Sequence, residues 1–223
     1  MQRIALYDLD RTVTRAPTFT PFLVHMALGN PLRLLGVPPW LLAMLGYKAK
    51  LYGRKPLKQF GLRLLVGQVV KSPALSPRID RFAARQLARN IQPGARAQIA
   101  ADRAAGVRLV LVTAAPEIYA DAIAEALGFE ACIATRHHRD ARGNLLSTID
   151  GENNYAGEKV TRVAAWLAAQ GLVREYCHLT AYTDHSSDAP ILDFADAGVL
   201  VGRYAKPRAG WSQADWSTAE ANS

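Results

Sequence analysis

Cysteine is nearly missing from this sequence. Cys132 and Cys177 are the only two among 223 residues, too few for a disulfide framework and without the paired spacing of a metal-binding knuckle. Both fall in segments that read as strands, where a reduced, buried thiol is expected. No basic-then-apolar leader precedes the first apolar segment at Arg3, which predicts a cytoplasmic protein. No apolar run reaches the roughly 18 to 20 residues that span a bilayer. The most apolar stretch, Leu32 to Tyr47, is interrupted by Arg33 and by Pro38-Pro39. Internal repeats are absent. Acid is the last scarcity: between Pro17 and Gln92 twelve basic residues stand against one acidic residue, Asp80. That segment carries +11 in a chain of net charge +8, so the remainder is net acidic. Such asymmetry suggests that the basic part meets an anionic partner.

What is present begins at the amino terminus. Arg3-Ile4-Ala5-Leu6-Tyr7 is an apolar run that reads as a buried parallel strand, and it stops on Asp8-Leu9-Asp10-Arg11-Thr12. Asp8 and Asp10, two residues apart, project from one side of the chain if the extended geometry persists, at the carboxyl end where open α/β sheets place ligands. Two carboxylates that close do not both ionise cheaply, so a cation, a retained proton, or both must relieve them. That division suits a nucleophilic carboxylate beside a metal, with a general acid next to it. Taken alone, the same acids would as readily begin a turn or cap a helix.

Along the chain, Phe19 to Ala27 reads as a helix. Leu32 to Tyr47 is either a buried cap helix, the plainer reading, or a surface that touches lipid. Lys48 to Leu65 is helical and basic, and Ser76 to Asn90 is amphipathic and arginine-rich. No strand pattern interrupts residues 18 to 90, so this insert is expected to be all-helical. From Gln92-Pro93-Gly94 the pattern alternates between helix and strand: helices over Ala95 to Ala105, Glu117 to Leu127, Glu158 to Gln170 and Pro190 to Ala195, with strands over Val107 to Val112, Ala131 to Ala134, Tyr176 to Thr183 and Gly198 to Val201. Arg136 to Gly151 reads as a polar hairpin turning at Gly143-Asn144. The tail from Lys206 onward is polar, with Trp211 and Trp216 as its anchors. The fold class expected is α/β: a Rossmann-like, doubly wound parallel sheet formed by residues 1–15 and 93–223, with a helical cap at 16–92 between its first two strands.

Four polar sites then fall at strand ends or helix starts: Asp8-x-Asp10-x-Thr12, Thr113, Lys159 in Gly157-Glu158-Lys159, and Asp184-His185-Ser186-Ser187-Asp188. In order and type they resemble the four motifs of the haloacid dehalogenase-like phosphohydrolases, over nearly the whole chain, and the helical insert resembles the cap of the branch containing phosphoserine phosphatase. The resemblance implies a Mg²⁺-dependent phosphatase working through an aspartyl phosphate. Asp8 would be the nucleophile and Asp10 the general acid and base. Thr12, Thr113 and Lys159 would bind phosphate, Thr12 also shaping the turn and holding Asp10. Mg²⁺ would be held by Asp8, Asp184 and the carbonyl of Asp10, with Asp188 orienting a bound water or Lys159. His185 is expected in the turn, since Mg²⁺ disfavours imidazole. Arg11 stands where members commonly carry a small residue.

For the substrate, no acid lies early in the cap to bind an amine, which departs from phosphoserine phosphatases. Thr18-Phe19-x-x-Phe22-Leu23 and the basic, apolar cap look more like bacterial type C phosphatidylglycerophosphate phosphatases. A lipid phosphate and a small soluble phosphomonoester both stay open, as does peripheral contact of the cap with an anionic membrane surface. A nucleic-acid partner is not expected, and oligomeric state is not legible. Transfer of the phosphoryl group to another acceptor is an alternative to hydrolysis. A phospho-aspartate switch without turnover is a further one, against which stand the late acids, the large insert and Asp10.

Overall fold

The structure is a computed structural model that describes residues 1–202 and 210–218. Its organising strand is β1 (Gln2–Tyr7). Alternation sends Ile4 and Leu6 into one hydrophobic core and Ala5 and Tyr7 into another on the opposite face of the sheet. A strand buried on both faces needs a continuous apolar run, which is why Ile4 to Tyr7 is unbroken by charge.

After Asp8 the chain makes a tight five-residue turn, Leu9–Val13, and enters the insert: α1 (Phe19–Ala27), α2 (Val37–Lys48), α3 (Arg54–Leu65), β2 (Val69–Lys71) and α4 (Ser76–Arg89). The two crossings between insert and core lie side by side. Thr14 and Ile91 form an antiparallel bridge, Arg15 N–H donates to the Asn90 carbonyl at 2.7 Å and Gln92 N–H to that of Val13 at 2.9 Å. The core resumes with α5 (Pro93–Ala104), β3 (Arg108–Pro116), α6 (Glu117–Ala126), β4 (Ala131–Thr135), the hairpin β5 (His137–Arg139) and β6 (Leu145–Ile149), α7 (Gly157–Ala169), β7 (Cys177–Thr183), α8 (Ala189–Phe194), β8 (Ala197–Val201) and β9 (Trp211–Ala214).

Six strands form one parallel sheet in the order β4-β3-β1-β7-β8-β9. The chain moves outward from β1 through β3 to β4, then returns to the other side of β1 with β7. The carboxyl ends of β3, β1 and β7 therefore flank the point where the winding reverses, the crevice in which doubly wound sheets bind ligands. The insert is rooted on the core by an aromatic cluster: Phe22 of α1, Phe82 of α4 and Tyr119 of α6 have ring centroids 4.7 to 5.2 Å apart. All three are buried, and such side chains each contribute about 1.5–3 kcal/mol of burial.

The structure corrects the sequence reading in several places. The insert is not all-helical: β2 pairs antiparallel with β6, extending the hairpin to a three-stranded sheet. Three residues are too few to show a period, and the partner lies far along the chain. The segment read as one helix from Lys48 to Leu65 breaks over residues 49–53, with Lys50 at φ 59°. Strand β8 is not the last, because β9 adds at the sheet edge where only its Ala214 is buried. Lys206 lies outside the described residues. Trp216 is buried against Tyr7 and Tyr182, and its backbone passes so close to Gly94 that a Cβ there would lie 2.5 Å from the Trp216 Cα. Helix α2 is not a buried cap helix either. Only its Trp40 is buried.

Candidate active site

Asp8 is the first residue beyond β1, and its N–H donates to the Tyr182 carbonyl of β7 at 3.0 Å, extending the ladder by one bond. The chain then turns so sharply that Arg11 takes φ 66°, the left-handed region. Thr14 secures the turn: its hydroxyl donates to the Leu9 carbonyl and accepts the Arg11 N–H. A cavity of about 330 Å³ opens above this turn. Asp8, Asp10, Thr113, Lys159, Asp184 and Asp188 all line it, although they come from four separate segments.

Lys159, at the start of α7, is 2 % exposed and bridges two acids: its Nζ donates to Asp8 Oδ1 at 2.7 Å and to Asp188 Oδ2 at 2.6 Å. Burial works against the ammonium, but the two carboxylates outweigh it and raise its pKa. Burial also pushes the Asp8 carboxyl up to about 7, with Lys159 pulling the other way. Asp188 also accepts from the Thr183 hydroxyl at 2.8 Å. The backbone before α7 is strained, with Ala156 at φ 52°.

Asp10 is pushed up by burial too, while its hydrogen bonds to Thr18 oppose the shift. Thr18 N–H and Oγ1 donate to the same oxygen, Asp10 Oδ1, at 2.9 and 2.7 Å. With the Thr18 proton committed to ionised Asp10, Tyr119 Oη, 2.9 Å away, donates to Thr18. This differs from the expectation for Thr12, which neither holds Asp10 nor reaches the cavity wall. Thr12 is fully buried, accepts the Asp184 N–H at 2.9 Å and donates to Asp184 Oδ1 at 3.2 Å. The threonine of the first motif thus ties it to the fourth.

Thr113 lies in β3, which continues past it to Pro116 with an irregular register between Val112 and Pro116. A bulge of this kind re-aims side chains beside a site. Thr113 Oγ1 accepts the Ala115 N–H, and the Thr113 carbonyl accepts from Asn154, which also donates to the Ile133 carbonyl and so braces β3 against β4. His185 serves the turn, its Nδ1 accepting the Ser187 N–H.

The donor set suits a hard cation. Lys159 occupies Oδ1 of Asp8 and Thr12 that of Asp184, and Oδ2 of each has no protein donor among the described residues. No three acidic, histidine or cysteine side chains among the described residues are arranged to hold a metal ion together, so an ion here would draw on two carboxylates. That is how Mg²⁺ is usually held, the shell being completed by main-chain oxygen and water.

Several residues at the site were not singled out by sequence. Tyr119 carries no motif, and Thr18 enters the sequence reading only through Thr18-Phe19-x-x-Phe22-Leu23, with no tie to Asp10. From α3, Lys58 Nζ donates to the Ala114 carbonyl and Asn153 Oδ1, both at 2.6 Å. Burial lowers the Lys58 pKa to about 8, with nearby Asp10 opposing. Arg54 lines the cavity with its guanidinium 3.8 Å from the Tyr155 ring centroid.

The fold and the four convergent motifs define a hydrolase class. Residues 5–193 match the haloacid dehalogenase-like hydrolases, and the chain belongs to that family. Among curated relatives, protein CicA of Caulobacter vibrioides is 31 % identical over 195 residues, covering 86 % of this chain and 83 % of that one. A Bordetella pertussis Tohama I protein of unknown function superposes with a TM-score of 0.83 at 24 % identity, covering 97 % of this chain and 99 % of the other. The fold is that of the phosphoserine phosphatase-like branch: a substrate-bound phosphoserine phosphatase gives a TM-score of 0.61 at 15 % identity over 90 % of this chain and 86 % of its own.

Proposed function

We propose that the protein is a phosphomonoester hydrolase acting through a covalent phosphate on Asp8. The observation that carries this reading is the pairing of Asp8 with Lys159 at 2.7 Å, with Asp10 on the wall of the same cavity. Lys159 holds the Asp8 carboxylate in place and supplies positive charge where phosphoryl oxygens would gather. In the first step an Asp8 oxygen bonds to phosphorus and the ester P–O bond breaks, Asp10 giving its proton to the departing alkoxide. In the second, Asp10 takes a proton from water, whose oxygen displaces Asp8 and releases inorganic phosphate. A raised pKa on Asp10 suits the protonated state the first step needs. Thr113, on the cavity wall, would donate to a phosphoryl oxygen. Asp8 and Asp184 would hold Mg²⁺, which when bound offsets the negative charge of the transferring group.

The rest of the cavity wall favours an anionic substrate. Arg11 and Arg54 line it, and among the described residues its only carboxylates are those assigned above to catalysis, the ion or Lys159. A substrate amine would find no unassigned acid there, whereas a second anionic group would meet two guanidinium groups.

Phosphate release by the purified protein tests the reading, with Mg²⁺ and with EDTA. The panel is phosphatidylglycerophosphate in mixed micelles, soluble sugar phosphates and phosphoserine. Mg²⁺-dependent release from an anionic ester, abolished by Asp8→Asn, is the expected result. Release by Asp8→Asn at near-normal rate would overturn it. Preference among the panel members separates a lipid headgroup from a soluble ester.

A further inference from the structure

The cap carries an apolar surface that the catalytic reading does not use. Leu32, Leu35, Leu41, Leu42, Leu45 and Leu51 are each between 58 and 76 % exposed. Scattered exposed leucines are ordinary, but six within twenty residues of one another form a patch that calls for a partner. Helix α2 shows how it arises. Trp40 faces inward, with Val37, Met44 and Tyr47 packed partly behind it, while Leu41, Leu42 and Leu45 recur at one, three and four residues on the opposite face. The helix is thus apolar on both faces, and only one is covered.

The rim of the patch has one sign of charge. Lys48 ends α2 and Lys50 lies in the break that follows; both are exposed, and neither forms an ion pair among the described residues. Arg33 lies within the leucine run; at the start of α3, Lys55 is ion-paired with Glu152 at 3.1 Å and Arg54 belongs to the cavity wall. No acidic residue lies between Asp10 and Asp80. A second copy of the chain would set this positive rim against itself across a symmetric interface, an arrangement that repels. No helix of the described residues is long and apolar enough to cross a membrane, so contact with lipid here would be peripheral.

We propose that this face of the cap docks on an anionic bilayer surface, the leucines of α2 and the preceding turn entering the headgroup boundary while Arg33, Lys48 and Lys50 meet lipid phosphates. The face stands apart from the catalytic residues, so docking is independent of whether Asp8 acts as a nucleophile.

The test is co-sedimentation of the full chain with vesicles of phosphatidylglycerol and phosphatidylcholine (1:1), against phosphatidylcholine alone, at low and high salt. The expected result is binding to the anionic vesicles, weaker in high salt and weakest on phosphatidylcholine. Leu35→Ser/Leu42→Ser should weaken it by about tenfold or more, since each leucine is worth roughly a factor of ten on burial. Lys48→Glu/Lys50→Glu should remove the preference for anionic lipid. Both variants change exposed side chains, so an unchanged thermal midpoint shows that the fold is kept. Equal recovery of wild type and both variants with every vesicle would overturn the proposal. So would a protein that ignores vesicles but sediments as a dimer, with Leu35→Ser/Leu42→Ser monomeric, because the face would then join two copies.

Discussion

Thr18 holds Asp10 twice, its N–H and its hydroxyl both donating to Oδ1, and Thr18 belongs to the insert while Asp10 belongs to the core. The residue assigned as general acid is therefore positioned from the cap side. Both hydrogen bonds favour the ionised carboxylate and oppose the upward push of burial. Thr18→Val removes one of them, so the Asp10 pKa should rise further. The high-pH limb of kcat/KM, where Asp10 loses its proton, should move to higher pH. A merely structural role would lower activity without moving that limb. The fall in kcat should be larger for an alkyl phosphate than for p-nitrophenyl phosphate, whose leaving group needs little protonation.

Asp188 should behave as a positioning residue for Lys159. Asp188→Asn keeps the volume but removes one of the two charges that hold the ammonium, and activity should drop on the order of 10- to 100-fold. Breaking a buried pair on one side should also cost about 3 kcal/mol or more in urea unfolding. Normal activity in Asp188→Asn would show that Asp8 alone suffices to hold Lys159.

Cation occupancy has a readout apart from turnover. Mg²⁺ at ten times its dissociation constant should stabilise the protein by about 1.4 kcal/mol, seen as a rise in thermal midpoint, because binding to the folded state alone is linked to folding. Asp184→Asn should abolish the rise. A shift that survives Asp184→Asn would place the ion elsewhere.

His137 predicts an acid-side loss of stability that has nothing to do with catalysis. Its Nδ1 donates to the Leu146 carbonyl at 2.9 Å, which leaves Nε2 buried and without a partner. Burial lowers its pKa below the ordinary 6.5, against the opposing pull of the Leu146 hydrogen bond and of Glu117. The unfolded chain then binds the proton more readily, so stability present above about pH 6.5 should fall as pH drops below it, by at most about 1.4 kcal/mol per pH unit for one proton. Urea unfolding between pH 5 and 7.5 should show this slope in the wild type. His137→Gln should flatten it.

The sequence by itself determined the sheet and the acids at its rim. A strand buried on both faces must be apolar throughout, so Ile4 to Tyr7 and Leu109 to Val112 announce themselves, and Asp8, Asp10, Lys159, Asp184 and Asp188 are legible because they follow such runs or open the next helix. The Gln92-Pro93-Gly94 boundary is legible for a similar local reason, a run of turn and helix-start residues. Only the tertiary structure decided the rest, because it depends on partners distant along the chain. Strands β2 and β9 exist through pairing with β6 and β8, not through any period of their own. Thr12 turns to Asp184, 172 residues away, and the task of holding Asp10 passes to Thr18, backed by Tyr119, and no local pattern ties either residue to Asp10. The leucines of α2 look in sequence like a core helix, and nothing local distinguishes a core helix from one whose second face is left uncovered. Burial is a property of what packs against a residue, and for these leucines the fold supplies a neighbour on one side only.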